Sequence, residues 1–123
     1  MRSNFDDELT EAIFQCIVRV HVTLGPGFLE SIYRKALVIE LRQAGFKVEA
    51  EKEITVLYRG EEVGLHRLDL LVDGRVILEL KTVEELSRAH YAQVRSYLKA
   101  SGLMLGLLVN FLKVRSDFRR IEF

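Results

Sequence analysis

The fold is decided by residues 68–81, which read LDLLVDGRVILELK. Asp-Gly at positions 73–74 is a strong hairpin signal, and the apolar runs around it predict two antiparallel strands over residues 63–72 and 75–82. Apolar side chains fall on both faces of these strands, which is typical of a sheet covered by helices on each side. The segment therefore predicts the centre of an α/β sheet.

Before this hairpin, the spacing of apolar residues changes from a helical to a strand pattern. Apolar residues at steps of three and four predict a helix over residues 6–23, which Gly25-Pro26-Gly27 ends. A second helix is predicted over residues 28–44, with a glycine as its C-terminal stop. Residues 46–58 then predict a long, partly exposed strand with a charged middle, followed by a turn at residues 59–62.

The residues after the hairpin predict one more helix and two strands. The helix spans residues 87–101, and both Thr82 and Ser87 are candidate N-caps. Residues 104–111 form a continuous apolar run, which indicates a buried strand, and residues 114–123 predict an edge strand. Because a helix connects the third and fourth strands, these two should pair in parallel within a mixed sheet.

Composition limits the class of protein. The 123 residues suit one domain over residues 1–123, and 18 basic against 18 acidic side chains exclude a general polycation. The first 62 residues carry 8 basic and 11 acidic side chains, whereas residues 63–123 carry 10 and 7. An anionic partner is therefore expected at the second half. Its basic groups around the charged strand end are Lys81, Arg88, Arg95 and Lys99.

Several other classes are set aside by the sequence. A single cysteine cannot form an intrachain disulfide and has no zinc-ligand spacing around it. No apolar stretch approaches the roughly 18 residues of a membrane-spanning helix. The N-terminus turns acidic where a signal peptide would turn apolar. We therefore expect a cytoplasmic protein that does not enter a membrane.

Charged residues stand within the apolar strands of the hairpin. Asp69 lies in the first strand, and Glu79 and Lys81 lie two residues apart in the second, so the latter two share a face. Buried charge is costly unless it is paired or binds a metal. Two carboxylates and an ammonium group could hold Mg²⁺ or Mn²⁺, activate water and stabilise a phosphate transition state. A structural ion pair between Glu79 and Lys81 is the alternative.

A shared metal site sets a condition on the hairpin. A regular two-residue turn would place Asp69 opposite Leu78, so that Asp69 and Glu79 would point to opposite faces. Binding of one metal requires a common face. We therefore predict a one-residue offset, for example a type I turn with Gly74 as a G1 bulge.

Two motifs carry a resemblance to a known family. Asp69 followed by Glu79-x-Lys81 resembles the signature of the PD-(D/E)xK nuclease superfamily, and the predicted element order is similar to its restriction-endonuclease-like αβββαβ core. GFLESIY at residues 27–33 matches the motif of the GxxExxY protein family, a bacterial branch of that superfamily. The resemblance covers about residues 9–112. It implies an α/β fold with a mixed sheet flanked by helices, plus an extra N-terminal helix and a C-terminal edge strand.

The resemblance also implies roles for individual residues. Asp69 and Glu79 would be metal ligands, and Lys81 would be the catalytic lysine. Glu30 matches a glutamate that assists the metal or the water in this superfamily. Gln93, with Tyr97, resembles the QxxxY motif of RecB-like nucleases, in which this helix approaches the substrate.

Two hypotheses of function follow. The first is a Mg²⁺- or Mn²⁺-dependent nuclease that hydrolyses phosphodiester bonds, with DNA as the favoured nucleic acid. The second is a module that keeps the fold without turnover and binds nucleic acid or another protein, with homodimerisation open in either case. Tyr33 is expected to be a core residue with a tethered hydroxyl, not a catalytic group.

Overall fold

The computed structural model describes residues 4–113 and 117–123, with side chains described from Asp7 onward. The helices are α1 (Asn4–Leu24), α2 (Glu30–Gln43) and α3 (Arg88–Ser101). The strands are β1 (Val48–Tyr58), β2 (Glu61–Val72), β3 (Val76–Lys81), β4 (Leu105–Asn110) and β5 (Phe118–Glu122). All five strands lie in one sheet of order β1-β2-β3-β4-β5, in which β3 and β4 are parallel and the other pairs antiparallel. The predicted mixed α/β sheet is confirmed.

Helices cover the two faces of the sheet through separate apolar cores. The α1–α2 cluster joins the first two helices to one face and includes Ile13, Tyr33, Leu37, Leu70, Leu78, Leu80 and Phe111. The α3 cluster joins the third helix to the other face and includes Leu68, Leu71, Ile77, Val94, Tyr97, Leu98 and Leu108. The predicted cover on both faces holds for the end of β2 but not for its beginning, where Val63 and Leu65 are 63% and 59% exposed.

The α1 helix is amphipathic and uses one face for the core. Leu9, Ile13 and Ile17 are buried on that face, whereas Glu8 and Glu11 are exposed. Burial of such a stripe stabilises the helix against the sheet. Within residues 4–113 and 117–123, no helix combines the length and hydropathy that crossing a membrane requires.

The start of α3 resolves a choice that the sequence left open. The Ser87 hydroxyl accepts the His90 N–H, and the Ser87 N–H donates to His90 Nδ1 at 2.9 Å. Ser87 is therefore the N-cap, and Thr82 is not. Gly102 ends the helix in a left-handed conformation with φ 76°. The predicted edge strand is confirmed at Phe118–Glu122, and its first three residues, 114–116, lie outside the described ranges.

The β2–β3 hairpin has the predicted one-residue offset. Val72 pairs with Val76, where a regular two-residue turn would pair it with Arg75. The turn itself differs from the expected type I turn, because Asp73 and Gly74 both have positive φ, 52° and 64°. The Arg75 N–H donates to the Val72 carbonyl at 3.0 Å, which closes a turn with the φ signs of type I′. Arg75 is then the extra residue, and Asp69 and Glu79 become the next pair in register.

The β1–β2 ladder has a gap where Glu51 stands opposite Asp69. Glu51 has φ 54°, which is rare for a residue other than glycine and is unfavourable within a strand. The alternation of faces changes at the same place: Leu68 packs in the α3 cluster and Leu70 in the α1–α2 cluster, although residues two apart normally share a face. Asp69 is therefore placed where both helical layers can reach it.

Candidate functional site

The site is built around Asp69 and Glu79, which we call the acid pair. Backbone pairing of β2 with β3 ends at Leu70–Leu78, one step before the acid pair. Side chains then replace the backbone ladder: the Asp69 N–H donates to Glu79 Oε1 at 3.3 Å, and the Leu80 N–H donates to Asp69 Oδ2 at 2.8 Å. Each carboxylate is thus oriented by the backbone of the opposite strand.

The second oxygen of each carboxylate faces a cation. Glu79 Oε2 lies 3.7 Å from Lys81 Nζ, and Asp69 Oδ1 lies 3.8 Å from Arg34 Nη1. These side chains are largely buried, with exposures of 6% for Glu79, 17% for Lys81 and 16% for both Asp69 and Arg34. The acid pair therefore presents two oxygens, each beside one positive charge, in a site largely shielded from solvent.

The two cations do not fully compensate the carboxylates. The pKa of Glu79 is raised to about 8, chiefly by burial and then by the neighbouring charge of Asp69, against the opposing effects of Lys81 and the Asp69 N–H. Burial also raises the pKa of Asp69, although the Leu80 N–H, Arg34 and Lys81 lower it. The site consequently favours additional positive charge, supplied either by a proton or by a cation.

Glu30 enters the site from the first turn of α2. Burial raises its pKa, the charge of Asp69 raises it further, and Lys81 and Arg34 lower it. The structure thus brings together four of the five predicted site residues near one strand end: Glu30, Asp69, Glu79 and Lys81. Glu30 also suits the positive end of the helix dipole.

Tyr33 fixes the loop that leads to Glu30. Its hydroxyl donates to the Gly25 carbonyl and accepts the Phe28 N–H at 3.3 Å, and its ring stacks on Phe111 at 4.5 Å. The side chain is 1% exposed, so the expectation of a core tyrosine with a tethered hydroxyl is confirmed. Gly27, with φ 103°, supplies a backbone conformation that side chains disfavour. In the 27–33 motif, Gly27 and Tyr33 therefore shape the loop, and Glu30 lies near the charged groups of the site.

Gln93 and Tyr97 approach from α3. The pKa of Tyr97 is raised to about 12, chiefly by burial and then by the charges of Glu79 and Asp69, whereas a side-chain interaction with Gln93 lowers it. Tyr97 therefore lies within electrostatic range of the acid pair and beside Gln93. Among the described residues, Gln93 Oε1 is the one buried side-chain polar atom without a hydrogen-bond partner. The Tyr97 ring also packs edge-to-face on His66 at 4.6 Å.

Sequence reasoning missed two charged residues of this site, Arg34 and Glu51. Arg34 Nη2 lies 3.5 Å from Glu51 Oε1, and Arg67 Nη1 lies 3.9 Å from the same oxygen. Arg34 follows Glu30 by four residues, a spacing that puts both on one helix face and could have drawn attention to it. Nothing in the sequence around Glu51 indicates its left-handed backbone.

A buried amide supports the segment that follows Lys81. Asn110, at the end of β4, donates from Nδ2 to the Val83 carbonyl at 2.6 Å and to Asp117 Oδ2 at 3.0 Å. Its Oδ1 accepts the N–H groups of Val83 and Leu112 at 3.1 and 3.2 Å. A polar residue that ends an apolar strand was the available signal for this role.

The donor set of the acid pair is compatible with a hard divalent cation. Among the described residues, no group of three or more His, Cys, Asp and Glu side chains is gathered as a metal site. Mg²⁺, however, is commonly held by one or two carboxylates together with water and substrate phosphate. Asp69 Oδ1 and Glu79 Oε2 are the oxygens not bonded to backbone, and burial, only partly offset by the nearby cations, raises the pKa values of both carboxylates.

Comparison with known families agrees with this architecture. A family model of the PD-(D/E)XK nuclease superfamily matches residues 7–121. The chain therefore belongs to the PD-(D/E)XK nuclease superfamily. A search of curated proteins gave no significant match.

Proposed function

We propose that this protein is a Mg²⁺- or Mn²⁺-dependent nuclease of the GxxExxY branch of its superfamily. The observation that carries the proposal is the acid pair itself, in which each carboxylate is oriented by the opposite backbone and faces one cation. A purely structural ion pair needs no carboxylates whose pKa values are raised by burial, because such groups destabilise a fold. Ionisable groups with shifted pKa values concentrate at functional sites.

In this proposal, Asp69 and Glu79 hold the divalent cation through Oδ1 and Oε2. When bound, the cation supplies Lewis acidity toward a phosphodiester and lowers the pKa of water. Lys81 places a positive charge near the transferred phosphoryl group and orients the attacking water. Glu30 accepts a hydrogen bond from that water, and Gln93 Oε1, which has no partner in the described residues, accepts a second one.

The proposed substrate is a nucleic acid, with DNA favoured, in the cytoplasm. Support comes from a basic stripe on α3 made of Arg88, Arg95 and Lys99. These positions follow one helix face, and all three side chains are exposed. Phosphate backbones bind to such surfaces through counterion release, with a strong salt dependence.

Cleavage assays test this function. Purified protein with Mg²⁺ or Mn²⁺ should cleave at least one of single-stranded DNA, duplex DNA, branched DNA and RNA, and EDTA should stop the reaction. Lys81→Ala and Asp69→Ala should each lower the rate by about 100-fold or more, the range seen when one group that stabilises a transition state is removed. Glu84→Gln, on an exposed residue outside the site, is the matched control. Cleavage unaffected by both site variants would reject the proposed mechanism.

The non-catalytic alternative makes a different prediction in the same experiments. Wild-type protein that binds nucleic acid but cleaves none of these substrates, and binds no Mg²⁺ or Mn²⁺ in a calorimetric titration, would identify a binding module. Metal binding that is lost in both Asp69→Asn and Glu79→Gln would support the proposed site.

A further inference from the structure

Arg34 is an arginine whose side chain is only 16% exposed and lies between two carboxylates. Its nitrogen atoms lie 3.8 Å from Asp69 Oδ1 and 3.5 Å from Glu51 Oε1, and the described residues contain no hydrogen bond from its guanidinium group. A charge-assisted hydrogen bond of this type is normally 2.7–2.9 Å, roughly 1 Å shorter. The guanidinium group is therefore held between two carboxylates by charge, at distances longer than a hydrogen bond to either.

A guanidinium group in this position is suited to an oxyanion. Its planar set of five donors matches the geometry of phosphate, which it can bind through two parallel hydrogen bonds. The side chain keeps 16% of its surface exposed, and its nitrogen atoms are not among the fully buried atoms without partners in the described residues. Arg34 lies on the same helix face as Glu30 and beside Asp69, so a phosphate that contacts the proposed catalytic groups would lie within its reach.

Glu51 supplies an independent observation. Its left-handed backbone, with φ 54°, interrupts the β1–β2 ladder opposite Asp69. Backbone outliers of this kind persist where the surrounding structure needs them, and they concentrate at functional sites. Here the outlier coincides with the contact that holds one edge of the Arg34 guanidinium group, while the other edge faces Asp69.

We propose that Arg34 binds a phosphate group of the substrate backbone and that Glu51 positions its guanidinium group for this contact. The inference rests on the proposed function and adds a phosphate-binding site to it. A divalent cation at the acid pair would take over the neutralisation of Asp69, which leaves the Arg34 donors to the substrate. Arg34 thus binds substrate, whereas Glu51 acts through Arg34.

Binding measurements without cleavage test the proposal. The probe is a short fluorescein-labelled DNA oligonucleotide, used single-stranded and as a duplex, in Ca²⁺ in place of Mg²⁺. Fluorescence anisotropy gives Kd as a function of salt concentration for wild type, Arg34→Gln and Arg34→Lys. Arg67→Gln is the matched control, because Arg67 contacts the same Glu51 oxygen from an exposed position.

We expect Arg34→Gln to weaken binding about tenfold relative to Arg67→Gln, which corresponds to roughly 1.4 kcal/mol. The slope of log K against log salt should fall by about one, as expected for the loss of one phosphate contact. Arg34→Lys keeps the charge but not the two-donor geometry, so its affinity should fall between those of wild type and Arg34→Gln. Glu51→Gln should weaken binding in wild type and have no further effect in Arg34→Gln.

Two results would overturn the proposal: equal affinities for Arg34→Gln and Arg67→Gln, or an unchanged salt slope in Arg34→Gln. Thermal unfolding of each variant separates a binding defect from a folding defect, and Arg34→Lys provides a second reading if Arg34→Gln unfolds. Failure of the nuclease proposal looks different. In that case the wild type binds the oligonucleotide and never cleaves it, while the Arg34→Gln defect is still observed.

Discussion

Two buried polar centres lie at the ends of the neighbouring parallel strands β3 and β4, and they are built in opposite ways. Asn110 is fully buried and neutral, and its side chain makes all four hydrogen bonds that an amide can make. The acid pair is buried and charged, and the pKa values of both of its carboxylates are raised. One centre satisfies every polar atom, whereas the other leaves charge uncompensated.

The difference separates a structural role from a functional one. A satisfied buried amide stabilises the chain around it, because each hydrogen bond replaces one made to water. Under-compensated buried carboxylates lower the stability of the fold in the absence of a ligand. Binding of a cation to them raises that stability. The two centres should therefore respond oppositely to mutation, to pH and to metal.

The largest expected change in stability comes from replacing Asn110. Asn110→Ala removes four hydrogen bonds and leaves the half-buried N–H groups of Val83 and Leu112 without their side-chain acceptor. Unfolding free energy should fall by about 3 kcal/mol, or roughly 10 °C in Tm for a chain of this length. Denaturant and thermal unfolding measure this loss. A loss below about 1 kcal/mol would contradict the structural role.

The acid pair should show the opposite sign. The pKa of Glu79 is about 8 in the folded protein against an ordinary 4.5, so the folded state keeps a proton that the unfolded state releases between these values. Stability of the metal-free protein should therefore fall as pH rises from about 4.5 to 8. Glu79→Gln should raise stability by about 2 kcal/mol at pH 8.5 and have little effect at pH 5.

Thermal unfolding in EDTA across this pH range measures the effect of Glu79→Gln. Glu84→Gln, which changes an exposed carboxylate, serves as the control. A stability that rises with pH in wild type, or an equal response of the two variants, would show that Glu79 does not carry the buried charge described above.

Binding of Mg²⁺ should stabilise the protein through the acid pair and should not depend on Asn110. At a Mg²⁺ concentration ten times its Kd, the wild type should gain about 1.4 kcal/mol, or roughly 5 °C in Tm. At one constant Mg²⁺ concentration, the gain should be larger at pH 8.5 than at pH 6, because Glu79 must lose its proton to bind the cation and the Kd therefore falls as pH rises. Asp69→Asn should abolish the gain, and Asn110→Ala should retain it. Equal gains in wild type and Asp69→Asn would place the metal elsewhere.

The smallest expected change in stability comes from replacing Tyr33, whose hydroxyl, like the Asn110 amide, has its hydrogen-bond partners within the fold. Tyr33→Phe removes the bonds to Gly25 and Phe28 but keeps the stacking on Phe111. Stability should fall by about 1 kcal/mol, or roughly 4 °C in Tm. Thermal unfolding measures this change, and an unchanged Tm would show that the hydroxyl contributes nothing to the loop before Glu30.

The hairpin shows how far the sequence could predict the site. The need for Asp69 and Glu79 to share one metal predicted the one-residue offset, and the offset is present. The turn type was wrong, because Asp and Gly can both adopt positive φ, and so the sequence Asp73-Gly74 serves either a type I or a type I′ turn. The requirement that both carboxylates bind one metal constrained the strand register, but it did not constrain the backbone conformation of the turn.

Arg34 and Glu51 show where prediction from sequence ended. Charged residues on a helix and in a half-exposed strand are usually solvated, and the only sequence signal for either residue is the four-residue spacing between Glu30 and Arg34. They become notable only because α2 and β1 meet beside Asp69, more than thirty residues along the chain from Arg34.

The sequence by itself determined the order of the elements, the mixed sheet and the presence of Asp69, Glu79 and Lys81 in apolar strands, whereas Glu30 was expected from the family resemblance. Hydrophobic period and misplaced charges are local properties, and they can be read along the chain. The tertiary structure alone decided the raised pKa values, the position of the Arg34 guanidinium group between two carboxylates and the satisfied amide of Asn110. These depend on burial and on distances between residues far apart in sequence, which only the packed sheet and its two helical layers set.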